Sequence, residues 1–179
     1  MRTILFQACL LALLTSPLPA ADSRRDLHSA VAVKPAAGGA PAPAYERREV
    51  EGWNVHVRRE LIESEAILTA RALELLRKQL VEIVQVVPAS AVKELRRVPL
   101  YFSPEYSDRK PTAEFHPDVV WLRANGRDPA MAKAVEFSNI RQFEAELDRM
   151  PNFVLHELAH AYHDRVLPEG FANPELKAA

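Results

Sequence analysis

The sequence predicts an α+β fold in which a small mixed sheet packs against one long helix, with a second helix near the C-terminus. Residues 53–58 alternate apolar and polar side chains, which is typical of a half-buried strand. Residues 60–87 repeat apolar side chains at helical spacing until Pro88 ends the pattern. Residues 153–162 form a mostly apolar segment in which three titratable side chains fit one helix.

The first half of the domain is predicted to contain a hairpin followed by helices. Residues 46–50 and 53–58 flank Glu51-Gly52, a turn sequence between two strand candidates. The apolar stripe of residues 60–87 is interpreted as a core-facing surface, because charged residues occupy the other faces of that helix. Ser90 is expected to cap a second, short helix that runs to Arg97.

The second half is predicted to contain short strands and the C-terminal helix. Residues 100–103 and 119–122 are strand candidates on either side of a proline-rich loop, and residues 135–140 are a third. Residues 140–149 predict a short helix. Pro151 is expected in the first turn of the next helix, because its missing N–H would be unpaired there in any case.

The N-terminal residues are predicted to lie outside the folded domain. Residues 1–21 combine a positive start, an apolar run and small residues before Asp22, which is typical of a secretory signal peptide. Residues 22–44 are biased toward Ala, Pro and Gly and predict a disordered spacer. We therefore expect a secreted or periplasmic protein, with a domain at residues 45–179 and no stable membrane anchor after signal cleavage.

Composition narrows the classes of function. The formal net charge is -1 and both signs are mixed along the chain, so no basic surface for nucleic acid is predicted. The single cysteine, Cys9, lies inside the predicted signal peptide. The mature domain is therefore expected to have no disulfide, no thiol nucleophile and no cysteine metal ligand. Nothing in the composition selects an oligomeric state.

Residues 156–160 carry the pattern His-Glu-x-x-His. Residues four apart lie on the same face of a helix, so His156 and His160 can offer imidazole nitrogens to one metal ion. Glu157 is offset by about 100° and is placed to deprotonate a water rather than to bind the metal. The alternative is a core helix with two incidentally spaced histidines, and it explains poorly why an apolar segment holds three titratable side chains.

With this motif, the chain resembles the zincin zinc metallopeptidases of the gluzincin type over residues 153–162. Phe153 departs from the family pattern, which more usually has Val or Thr there. The resemblance implies a bound Zn²⁺, Glu157 as the general base, and a peptide or protein substrate. It also implies an edge strand ahead of the motif helix that aligns an extended peptide, and residues 135–139 are the candidate for that strand.

A catalytic zinc site needs a third protein ligand. In the subclass that the chain resembles, this ligand is a Glu that lies further past the second histidine than the nineteen residues that follow His160 here. We therefore expect the match to the family to end before the third ligand. Glu169 and Glu175 are alternatives at shorter spacing. His163 is expected beside the metal or on the surface rather than on the metal. Asp164 either accepts a hydrogen bond from His160 or is solvated.

The expected function is that of an exported zinc-dependent metallopeptidase in which Glu157 activates the attacking water. One alternative is a truncated or inactive zincin relative that binds metal or peptide without turnover. Another is a structural secreted module in which the motif arose by chance. The other histidines of the chain are expected to be structural or solvated, namely His28, His56 and His116. Three tyrosines are candidate oxyanion donors, namely Tyr101, Tyr106 and Tyr162.

Overall fold

The computed structural model describes residues 44–178. The predicted signal peptide and nearly all of the predicted spacer lie outside the described residues. The elements from Tyr45 to Ala172 belong to one compact unit. A short helix at Pro174–Ala178 belongs to a second unit.

The described residues of the main unit form five strands and six α-helices. The strands are β1 (Tyr45–Val50), β2 (Trp53–Arg58), β3 (Leu100–Phe102), β4 (Ala113–Phe115) and β5 (Val135–Phe137). The helices are α1 (Arg59–Ser64), α2 (Ala66–Val86), α3 (Ala89–Leu95), α4 (Val119–Ala124), α5 (Phe143–Arg149) and α6 (Phe153–Val166). Single 3₁₀ turns lie at Pro129–Met131, Ile140–Gln142 and Gly170–Ala172, and the separate helix at Pro174–Ala178 is α7.

The five strands make one mixed sheet in the order β1-β2-β3-β5-β4. Strands β2, β3 and β5 run parallel, while β1 and β4 are antiparallel to their neighbours at the two edges. The predicted α+β class and the predicted small mixed sheet are therefore confirmed.

The predicted hairpin is confirmed, with Val50 paired to Trp53 across a two-residue turn. Glu51 and Gly52 both have positive φ, 51° and 86°, as this type of tight hairpin requires. A side chain at Gly52 would also meet Arg96, whose Nε would lie 2.8 Å from the added Cβ. The inward side chains of β2 are fully buried, and the indole of Trp53 donates to the carbonyl of Leu95 at 2.9 Å.

The predicted single helix at residues 60–87 is two helices separated at Glu65. Glu65 has φ -134° and ψ 38°, which is not helical, and the hydroxyl of Thr69 donates to the carbonyl of Leu61 at 3.1 Å across the break. The break lets Leu61 and the apolar stripe of α2 enter the core separately, where both are buried. Pro88 follows the end of α2, as predicted.

Three local expectations were wrong. Residues 119–122 belong to α4 rather than to a strand, because the carboxylate of Asp118 accepts the backbone N–H groups of Val120 and Trp121 and caps a helix. Ser90 lies inside α3, which has no side-chain cap. Pro151 precedes α6, whose N-cap is Asn152. The predicted helix at residues 140–149 is present as a 3₁₀ turn followed by α5.

The main core lies between one face of the sheet and the helices α2 and α6. Its buried members come from every strand except β1 and from the helices α1, α2, α3, α5 and α6. They include Trp53, Val55, Leu61, Leu76, Leu80, Ile83, Leu95, Phe102, Phe115, Phe137, Phe143, Val154 and Leu158. A smaller cluster lies on the other face and contains Tyr101, Leu122, Met131 and Ala134. Of the helices within residues 44–178, none combines the length and apolar character needed to cross a bilayer.

The main core predicts a large stability difference between two positions of α2. Leu76 is fully buried, whereas Ile67 is 89% exposed. Leu76→Ala is expected to lower the free energy of unfolding by about 2–5 kcal/mol, because it removes buried methyl groups and leaves a cavity. Ile67→Ala is the matched control and should change it by less than about 0.5 kcal/mol. Urea denaturation followed by circular dichroism measures both, and equal effects would contradict the described packing.

Candidate functional site

The motif helix α6 is held at its N-terminus by contacts with α2. The side chain of Asn152 accepts the N–H of Leu155 at 2.9 Å and donates to the carbonyl of Gln79 at 3.3 Å. The amide oxygen of Gln79 in turn accepts the N–H of Val154 at 3.2 Å. Beyond this cap, the apolar face of α6 is buried in the main core. The opposite face, which carries the motif histidines, is thereby turned away from the core.

His156 and His160 converge as the four-residue spacing predicts. Their Nε2 atoms are 3.1 Å apart and their ring planes are perpendicular. Two imidazole nitrogens bound to one tetrahedral zinc at about 2.0–2.1 Å would lie about 3.3 Å apart, so this pair fits a common ion with little movement. Burial, followed by the charges of His156 and His163, lowers the pKa of His160 and favours the neutral imidazole that a metal requires.

Glu157 lies beside the pair and is largely buried. Its Oε1 is 4.0 Å from His156 Nε2, and its Oε2 accepts the backbone N–H of Phe115 at 3.0 Å. Burial raises the pKa of Glu157 to about 7, and the charge of Glu114 adds to this rise while the bond from Phe115 opposes it. A carboxyl group that titrates near neutral pH is suited to both accepting and returning a proton.

The edge strand beside the motif helix is β4, so the expectation that residues 135–139 form this edge was wrong. Strand β5 does form there, but it lies between β3 and β4. Strand β4 was missed because it has only three residues and lies in the proline-rich loop. The alternation of Ala113, Glu114, Phe115 and His116 between two prolines was the signal that could have indicated it.

Three of the other candidates do not join the histidine pair, namely His163, Asp164 and Glu169. The ring of His163 lies 6.4 Å from that of His160, centroid to centroid. Asp164 accepts from Lys133 Nζ at 2.7 Å and has no described bond to His160. Glu169 lies beyond the end of α6 in the left-handed region, with φ 63°. Glu175 belongs to α7, in the other unit.

The three tyrosine candidates have structural contacts. The hydroxyl of Tyr101 donates to the carbonyl of Ala130 at 3.3 Å, and that of Tyr106 donates to Glu136 at 2.6 Å. Tyr162 packs against the main core. His56 stacks on the ring of Tyr101, with centroids 4.6 Å apart. His28 lies outside the described residues.

A different group of metal-ligating side chains comes together on β4 and β5. Within residues 44–178, Glu114, His116 and Glu136 are the group of three whose donor atoms all lie within 4.8 Å of one another, and the motif histidines belong to no such group. The sequence predicted a structural or solvated role for His116 and singled out neither glutamate. Their grouping depends on the β4–β5 register, which the sequence did not reveal.

No protein family model, no curated protein and no solved structure matches this chain. Its functional interpretation therefore depends on the motif helix and on the strands beside it.

The cap of the motif helix is a test of how α6 is held. Asn152→Ala is expected to lower the free energy of unfolding by about 1 kcal/mol, because the N–H of Leu155 loses its acceptor. Asn152→Ser should retain most of that stability, since a serine hydroxyl also caps helices. Chemical denaturation measures both variants. Equal losses for Ala and Ser would show that capping is not the main contribution of this side chain.

Proposed function

We propose that this protein is an exported zinc-dependent metallopeptidase of the zincin type. The observation that carries the proposal is the arrangement on α6, where two imidazole nitrogens 3.1 Å apart lie beside a buried carboxylate. The position of β4 also supports it, because an edge strand next to this helix could pair with an extended peptide. Export rests on the signal-peptide pattern of residues 1–21.

In the proposed site, His156 and His160 bind the metal, and Glu157 acts as the general base and then as the general acid. A bound zinc ion supplies a Lewis acid that activates a water and polarises a carbonyl group. Glu157 takes a proton from the attacking water and returns it to the leaving amine. Its buried position and the single N–H from Phe115 keep this carboxylate oriented toward the histidines while leaving Oε1 available.

A second candidate function is metal or peptide binding without turnover. It is favoured by the absence, among the described residues, of a third ligand close to both motif histidines. A two-histidine site is expected to hold zinc more weakly than the three-ligand sites of zinc hydrolases. The two candidates differ in whether zinc-loaded protein cleaves peptides.

Zinc content tests the metal part of the proposal. Purified protein dialysed against zinc and then against buffer is expected to retain zinc, as measured by plasma mass spectrometry. Replacing both motif histidines, His156→Ala with His160→Ala, should remove the zinc that this pair binds. His163→Ala is the matched control on the same helix and should leave zinc content unchanged. Absence of zinc from the wild-type protein would contradict the proposal.

Peptide hydrolysis tests the role of Glu157. Glu157→Gln is expected to keep the zinc and to lower the hydrolysis rate of a mixed peptide library by about 10²–10⁴-fold, because the proton acceptor is lost. Mass spectrometry of the library detects the cleavage products. Full activity in Glu157→Gln would refute the assignment of the general base. Zinc binding with no cleavage by the wild-type protein would favour the second candidate function.

Export is tested separately. Expression of the full chain in a bacterium with a general secretion system is expected to yield a protein whose N-terminus is Asp22, as found by N-terminal sequencing of the extracytoplasmic fraction. Retention of Met1 in the cytoplasmic fraction would contradict the predicted signal peptide without affecting the metal site.

A further inference from the structure

The face of the sheet opposite the main core carries a second set of metal-ligating side chains. Glu114 and Glu136 are direct partners across the β4–β5 pair. Side chains alternate along a strand, so both glutamates lie on the face opposite Phe115 and Val135. His116 follows Glu114 by two residues and returns to the same face. Like charges placed directly opposite each other destabilise a sheet, so this pairing requires a compensating cation.

The burial of these side chains increases the need for a compensating cation. The side chain of Glu136 is 1% exposed and that of His116 is 2% exposed, whereas Glu114 is 30% exposed. An ionised carboxylate in such a place is costly unless it is paired or coordinates a metal.

The donor atoms of the three side chains already surround a common point. His116 Nε2 lies 2.9 Å from Glu136 Oε2 and 3.9 Å from Glu114 Oε1. Ligands held at about 2.0–2.2 Å around one ion are separated by about 3 Å or slightly more. A small inward movement of Glu114 would therefore complete the set, and this side chain is the most exposed of the three.

Arg127 lies beside the cluster but makes no hydrogen bond with Glu114 or Glu136. Arg127 Nη1 is 3.6 Å from Glu136 Oε2, and Nη2 is 3.7 Å from Glu114 Oε1. All three guanidinium nitrogens are buried, and none has a hydrogen-bond partner within residues 44–178. The guanidinium lies on the ring of Tyr106, 3.2 Å from its centroid, instead of gripping a carboxylate with two bonds. Arg127 therefore donates no hydrogen bond to either glutamate, and the lone pairs on the oxygens that face it stay available to a further ligand.

We propose that Glu114, His116 and Glu136 bind a divalent transition-metal cation at a site separate from the motif histidines. Two carboxylate oxygens and one imidazole nitrogen suit Mn²⁺ and Zn²⁺. The surrounding contacts are of the kind that orient metal ligands, since Tyr106 donates to Glu136 Oε1 at 2.6 Å and Trp121 stacks on His116. The ion ties the edge strand β4 to β5, and Glu157 is bonded to the backbone of that same strand.

The test uses Mn²⁺ as the probe in the full chain carrying His156→Ala and His160→Ala, so that the motif pair cannot contribute. Electron paramagnetic resonance measures the concentrations of free and bound Mn²⁺ during a titration. One bound Mn²⁺ per chain is expected, and Zn²⁺ should displace it. Adding Glu114→Gln should weaken Mn²⁺ binding by at least about tenfold. Because Glu114 is partly exposed, this variant is expected to fold, as circular dichroism and thermal melting can verify.

The matched control is Glu63→Gln in the same background, at an exposed glutamate of α1, and it should leave Mn²⁺ binding unchanged. Absence of Mn²⁺ and Zn²⁺ binding in the double-histidine protein would overturn the proposal, as would binding that Glu114→Gln leaves unaltered. Neither result bears on zinc at the motif pair, whose own test uses the wild-type protein.

Discussion

The burial of one face of α6 against α2 and the sheet is the constraint on which the candidate site depends. Val154, Leu158 and Ala161 are fully buried. Fully burying a valine or leucine side chain contributes about 1.5–3 kcal/mol, so rotating α6 about its axis would cost several such contributions. Because helical positions are about 100° apart, fixing this face also fixes the direction of His156, Glu157 and His160. The polar contacts of Asn152 and Gln79 then fix where the helix begins.

Strand β4 connects this helix to the rest of the site. Its three residues alternate, so Phe115 faces the main core while Glu114 faces the opposite side of the sheet. The backbone N–H of Phe115 holds the carboxylate of Glu157. Thus the backbone of one short edge strand binds Glu157, the proposed general base. The face of the same strand that points away from the main core carries part of the cluster of Glu114, His116 and Glu136. Any change that shifts β4 relative to β5 would therefore alter both the position of Glu157 and the geometry of this cluster.

Elements that depend on residues close together in the chain were predicted correctly from the sequence. The hairpin follows from the alternation in β2 and from a turn that needs positive φ, and the long amphipathic stripe predicts α2. Local reasoning was wrong where two local signals competed: residues 119–122 form an apolar run that fits a strand, but the side chain of Asp118 caps a helix. It also missed the break at Glu65, because the apolar spacing continues across it while the backbone does not.

The sequence by itself predicted that His156, Glu157 and His160 lie close together on one helix, because helical spacing alone relates them. It also determined the α+β class, since periodicities of about 2 and 3.6 residues are local properties of a chain. Only the tertiary structure decided that β4 is the edge strand, that Phe115 holds Glu157, and that Glu114, His116 and Glu136 meet. These contacts join segments about 20 to 40 residues apart in the chain. They depend on strand register and packing, which the spacing of residues along the chain does not predict.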